Sequence, residues 1–149
     1  GFILNNELTD FVPDAPHPNV PEPGKRPRSS MAPTIAIAPD GTVLAFGSPG
    51  GSTIITTVVG IAVNVIDFGM DLAAAIAAPR LSQRNTGKTL VEPAFTSTEL
   101  GQALWERGQQ LITTEEIGAA TGILVNPDGS ILAVAEPRRR GGGSALALP

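Results

Sequence analysis

Three short polar stretches hold groups suited to binding charge. In Asn5-Asn6-Glu7-Leu8-Thr9-Asp10, two carboxylates within four residues suit an ammonium group. In Arg28-Ser29-Ser30-Met31, paired hydroxyls and backbone N–H groups suit a carboxylate. In Ser48-Pro49-Gly50-Gly51-Ser52, a glycine pair stands between a strand-like run and a long apolar run. A helix starting there leaves its first N–H groups without intrahelical partners, and its dipole adds partial positive charge. Glycines let a reacting group come close, and two converging N–H groups would form an oxyanion hole. Each stretch also has a plainer reading: a strand-to-loop exit, a polar loop end, and a tight turn capped by Ser52. The residues alone leave both readings open.

Composition removes other chemistries. None of the 149 residues is cysteine, so thiol nucleophiles, disulfides and cysteine metal sites are excluded. His17 is the one histidine and lies between Pro16 and Pro18, a poor setting for a Ser-His-Asp triad, and a histidine-rich metal site is excluded by count. Neither Ser29 nor Ser30 has a histidine in sequence reach to activate it. No metal and no cofactor is expected. The net charge of −4 argues against a nucleic-acid partner. Hydrophobic content of 42% with 16% charged residues is a globular composition. The chain opens in mid-pattern without a signal-peptide layout, and is expected to be cut from something longer.

These groups need elements to hold them. Residues 2–4 read as a strand end. Prolines crowd residues 12–28, which excludes a helix or central strand and predicts an extended surface loop. Residues 31–38 and 42–46, joined by Asp40-Gly41, predict a β-hairpin. In residues 52–68, Ile54, Val58, Ile61 and Val65 follow the helical template, as do Ile55, Val59, Ala62 and Ile66, and predict a buried helix ended by Gly69. Asn64 and Asp67 mark where that helix meets polar neighbours. Asp71 caps a second helix that Pro79 stops. Residues 90–92 and 110–114 read as strands, and Thr96-Ser97-Thr98-Glu99 as a capping box opening a helix to about Arg107, with Gly108 at its end. Trp105 is expected in a core or interface. Residues 121–125 and 131–135 flank the turn Asn126-Pro127-Asp128-Gly129 and form a second hairpin, and residues 141–149 a flexible tail or edge strand. The order predicts an α+β fold with antiparallel sheet. Arg80, Arg84 and Arg138 are expected to make structural ion pairs.

The segments "ILNNELTDF", "GKRPRSSMAPTI", "GSPGGSTIITTV" and "NVIDFGMDLAAAIAAPR", in this order, with the late "NPDGSILAVAEPRRRGG", resemble the C-terminal part of γ-glutamyltranspeptidases over nearly the whole chain. The resemblance implies a four-layer αββα N-terminal-nucleophile hydrolase fold, of which residues 1–149 form the C-terminal part of the small subunit. It implies a precursor that cuts itself and a new N-terminal threonine acting as nucleophile, with its own α-amine as base. The threonine takes a γ-glutamyl group from glutathione or a related amide and passes it to water, an amino acid or a peptide. By the same resemblance Glu7 and Asp10 bind the α-ammonium of the glutamyl group, Ser29 and Ser30 its α-carboxylate, and Gly50 and Gly51 form the oxyanion hole.

Two departures stand out. The family's nucleophilic threonine lies upstream of the segment matching Gly1, so residues 1–149 alone are expected to be inactive. The implied partners are therefore the large subunit, the upstream part of the small subunit and a γ-glutamyl compound. The 12–28 loop stands at the position of a longer lid in several members, which predicts an open pocket. Unpaired edges and apolar surface are expected on the isolated piece, with self-association as one way to cover them. A periplasmic or secreted location follows from the resemblance only. The rivals are a cephalosporin or glutaryl acylase of the same fold and a non-catalytic homologue. A glutaryl group has no ammonium, so Glu7 and Asp10 favour γ-glutamyl.

Overall fold

The computed structural model describes residues 1–14 and 16–146, in two compact units, Gly1–Ser30 and a second beginning at Met31.

The first unit is mostly loop. Residues 2–4 form no strand; Phe2, Ile3 and Leu4 are exposed, with no neighbouring strand among the described residues to complete a ladder. A 3-10 turn, Glu7–Asp10, follows. The proline-rich stretch is a surface loop, as proline's fixed φ and missing N–H require. Asn19 ties it: its amide donates to the Asp10 carbonyl at 2.7 Å and accepts from the Arg28 N–H at 3.0 Å. Its own carbonyl accepts from Val12 N–H at 2.9 Å. His17 Nδ1 accepts from the Asn19 N–H at 3.0 Å, so the imidazole serves the turn.

The second unit carries two sheets. Strands β1 (Thr34–Ile37), β2 (Val43–Gly47), β6 (Thr121–Val125) and β7 (Ile131–Val134) form an antiparallel sheet in the order β1-β2-β6-β7. Both predicted hairpins are present. The predicted antiparallel arrangement fails in the smaller sheet, β3 (Leu81–Ser82), β4 (Thr89–Val91) and β5 (Leu111–Thr113), where β4 and β5 run parallel. Helix α3 (Glu99–Glu106) lies between them and serves as the crossover that parallel pairing needs.

Helix α1 (Ile54–Ile66) sets Ile54, Thr57, Val58 and Ile61 into the core and leaves Ile55, Val59 and Ile66 exposed, so only one of its two apolar rows is covered. Helix α2 (Leu72–Ala77) starts where Asp71 accepts from the Ala74 N–H at 2.8 Å, as its cap position predicts. Leu44 and Phe46 of β2 pack with Ile54, Val58 and Ile61 of α1 and with Leu72, Ala75 and Ile76 of α2. Helix α3 is capped by Thr98 and not by Thr96: Pro93 nucleates a 3-10 turn, Pro93–Ser97, and the Thr96 hydroxyl is spent on the Pro93 carbonyl. Trp105 is exposed, against the core reading. Residues 142–146 form no strand, and residues 147–149 lie outside the described residues. No described helix is long and apolar enough to cross a membrane.

Candidate active-site elements

In the first unit the 3-10 turn does the positioning. Side chains three apart eclipse on such a turn, so Glu7 and Asp10 share one face. Glu7 is exposed and Asp10 half-buried. The Glu7 N–H is held by Asn5 Oδ1 at 3.1 Å. Ser29 is exposed and Ser30 half-buried. Because Asn19 holds the Asp10 carbonyl and the Arg28 N–H, it brings the carboxylate pair and the serine pair to the two roots of one loop. Asn19 was not singled out by sequence. Its signal was an Asn between prolines, a residue type that bonds backbone in turns.

In the second unit Gly50 and Gly51 stand between β2 and α1. Gly50 has φ +146° and Gly51 φ +55°, conformations that a Cβ disfavours. A Cβ on Gly50 would lie 2.7 Å from Thr53 Oγ1. The first helical turn is a 3-10 turn, Gly51–Thr53, that feeds directly into α1. No hydrogen bond among the described residues uses the Gly50 or Gly51 N–H. Two bare donors at the head of a 13-residue helix can stabilise an anion. Ser52 does not cap: its hydroxyl accepts from Arg84 Nη1. Arg84 therefore bonds a hydroxyl, not the expected carboxylate.

Behind this turn lies a buried quartet of two arginines and two glutamates. Arg80 Nη2 meets Glu136 Oε2 at 3.0 Å. Arg139 makes a two-pronged pair with Glu92 and reaches Glu136 Oε1 at 3.1 Å. The guanidinium groups also serve the otherwise unpaired carbonyls at the end of α2: Ile76 accepts from both, and Ala78 from Arg139 at 2.8 Å. For Glu92, burial pushes the pKa upward, but the Arg139 bond and the N–H groups of Ile117 and Arg80 outweigh it and hold it below the ordinary value. Glu136 behaves likewise: burial raises its pKa, and Arg80, the Arg138 N–H and Arg139 bring it below the ordinary value. Arg80 thus has its expected ion pair. Arg138 contributes its backbone N–H, and Arg139 takes the role expected of it. The sequence signal was Glu136-Pro137-Arg138-Arg139 closing an apolar strand.

The model of the γ-glutamyltranspeptidase family matches residues 1–146. The chain belongs to the γ-glutamyltranspeptidase family. A glutathione hydrolase proenzyme of Escherichia coli (strain K12) is 40% identical over 149 residues, 93% of this chain and 26% of that protein. An acylase ACY 1 proenzyme of Pseudomonas sp. (strain V22) is 33% identical, over 91% of this chain and 24% of that protein. In structure, an acivicin-inhibited γ-glutamyltranspeptidase superposes with a TM-score of 0.83 at 35% identity, covering 94% of this chain and 82% of that one. The chain thus carries the mixed helix-and-sheet fold of these N-terminal-nucleophile hydrolases, and spans about a quarter of the length of the curated relatives it matches.

Proposed function

We propose that this chain is the C-terminal part of the small subunit of an enzyme that transfers or hydrolyses γ-glutamyl groups from glutathione and related amides. The observation that supports it best is the unused N–H pair of Gly50 and Gly51, within a match to the family that spans residues 1–146. The Escherichia coli relative bears the name glutathione hydrolase proenzyme, which supports this substrate class.

In this reading a threonine supplied by a segment outside this sequence attacks the γ-carbonyl. Its proton passes to its own α-amine, and negative charge gathers on the carbonyl oxygen. The Gly50 and Gly51 N–H groups donate to that oxygen, a stabilisation that grows as the planar carbonyl becomes a tetrahedral anion. Glu7 and Asp10 hold the α-ammonium, and Ser29 and Ser30 the α-carboxylate, the roles that the family resemblance implies for them. On collapse the α-amine returns that proton to the leaving nitrogen, the amine departs, and an acyl-enzyme is left for water or an acceptor amine. The short loop over residues 12–28 stands at the lid position and leaves room for bulky acceptors. The large subunit and the upstream part of the small subunit complete the enzyme.

The acylase relative supports a second reading, an acylase of the same fold, for which we take glutaryl as the acyl group. The carboxylates on one face of the Glu7–Asp10 turn weigh against it, because a glutaryl group carries no ammonium. In the full-length enzyme, Asp10→Ala is expected to raise KM for a γ-glutamyl anilide roughly 30-fold or more and to leave glutaryl anilide turnover unchanged. Preference of the wild type for the glutaryl anilide would reverse the assignment.

A further inference from the structure

The geometry points to Ser48 as the positioning residue that aims the Gly50 N–H, with Thr53 doing the same for Gly51; the inference rests on the oxyanion reading of the glycine pair. In a trans peptide the C=O and N–H point to opposite sides of the chain, so whatever holds the carbonyl also aims the following N–H. The Pro49 carbonyl accepts from the Ser48 hydroxyl at 2.7 Å. That bond fixes the side on which the Gly50 N–H emerges. One peptide further on, the Gly50 carbonyl accepts from Thr53 N–H at 3.2 Å and from Thr53 Oγ1 at 3.0 Å. Those bonds fix the Gly51 N–H in the same way.

The aim needs holding because glycine does not hold itself. With φ at +146° and +55° and no Cβ, the peptides around Gly50 and Gly51 face a low steric barrier to turning over. Thr53 holds its carbonyl through two donors, so losing the hydroxyl leaves one. Ser48 is the only donor to the Pro49 carbonyl among the described residues, and so carries the greater share.

Ser48 is itself braced. Its oxygen accepts from the Ala119 N–H at 3.0 Å. The neighbouring Gly118, at φ +68°, packs so closely that a Cβ there would lie 2.5 Å from Ser48 Oγ and 3.2 Å from the Pro49 carbonyl oxygen. Residues 117–120 in turn hang on the buried quartet. The Ile117 N–H donates to Glu92 at 2.9 Å, the Ile117 carbonyl accepts from Arg80 at 2.8 Å, and the Ala120 N–H donates to Glu136 at 3.1 Å. An unbroken run of hydrogen bonds and close packing thus leads from four buried charges to one hydroxyl and from it to one N–H.

The test uses the full-length, processed enzyme. Ser48→Ala should lower kcat for a γ-glutamyl anilide about 10-fold or more while KM stays within about 2-fold, because the hole acts in the transition state. It should weaken a glutamate analogue bearing a γ-boronic acid, which becomes a tetrahedral anion on the nucleophile, by the same factor. Binding of an unreactive γ-glutamyl ligand should not move. Ser48→Thr keeps the hydroxyl and should recover most of kcat. An unchanged kcat in Ser48→Ala overturns the role of Ser48 and leaves the glycine reading standing. So does a fall in kcat that ground-state binding shares and Ser48→Thr does not repair. A wild type that binds the boronate no more tightly than the unreactive ligand overturns the oxyanion reading, and the Ser48 inference with it.

Discussion

The two faces of the four-stranded sheet have nearly the same chemistry and opposite surroundings. On one face Leu44 and Phe46 are 5% and 6% exposed, packed under α1 and α2. On the other, Ile35 and Ile37 of β1 are 71% and 73% exposed. Register sets Ile35 beside Ala45, Ile123 and Ala133, and Ile37 beside Val43, Val125 and Ile131. That second face is an apolar stripe across all four strands. A sheet meant to face water alternates apolar with polar residues; this one does not. An apolar face this wide suits a second layer, as in the αββα sandwich of the family. The polar provisions follow the same division. The buried quartet sits at the end of α2, on the side of the helices, where desolvated carbonyls need donors.

The comparison can be broken most forcefully at the quartet. Arg139→Leu leaves Glu92 and Glu136 buried with too few donors, and is expected to cost about 3–5 kcal/mol in urea unfolding of this chain. A loss below 1 kcal/mol would mean that the covered side does not depend on its charges. The two faces are compared directly by Phe46→Ala, expected to cost about 3 kcal/mol or more, and Ile37→Thr, expected to stay within about 0.5 kcal/mol. Equal losses would show that a layer already covers the second face in solution. The smallest effect is set by pH. Glu92 and Glu136 have folded pKa values below their ordinary 4.5, so the unfolded chain binds more protons as pH falls past that value. Their contribution is complete above pH 4.5 and is lost on acidification below it. Thermal unfolding followed from pH 7 to pH 3 should show a decline confined to the acid end and smaller in Arg139→Leu, where Arg80 and the backbone N–H donors still face the two carboxylates.

Local signals carried the sequence reading furthest. Asp40-Gly41 and Asn126-Pro127-Asp128-Gly129 located both hairpins, because each turn requires a positive-φ glycine that the structure shows. Asp71 located the start of α2 to the residue, through a cap bond made within four residues. Partners far apart in sequence were not legible. The pairing of Arg139 with Glu92 spans 47 residues, and no local pattern announces it. The two-residue strand β3 was missed because it exists only by pairing with β4. Of the candidate site, the three polar stretches were visible as residue types. The bonds of Asn19 and of Ser48 were not, since each engages backbone groups that every residue shares.

The quartet also has an order in time. Arg80 and Glu92 leave the ribosome well before Glu136 and Arg139, which must return to neutralise them. Until residue 139 has emerged, the end of α2 cannot be desolvated without stranding charge. Closure around the end of α2 therefore waits for residue 139. A chain that stops short of that residue leaves Glu92 without the two-pronged partner that makes its burial tolerable.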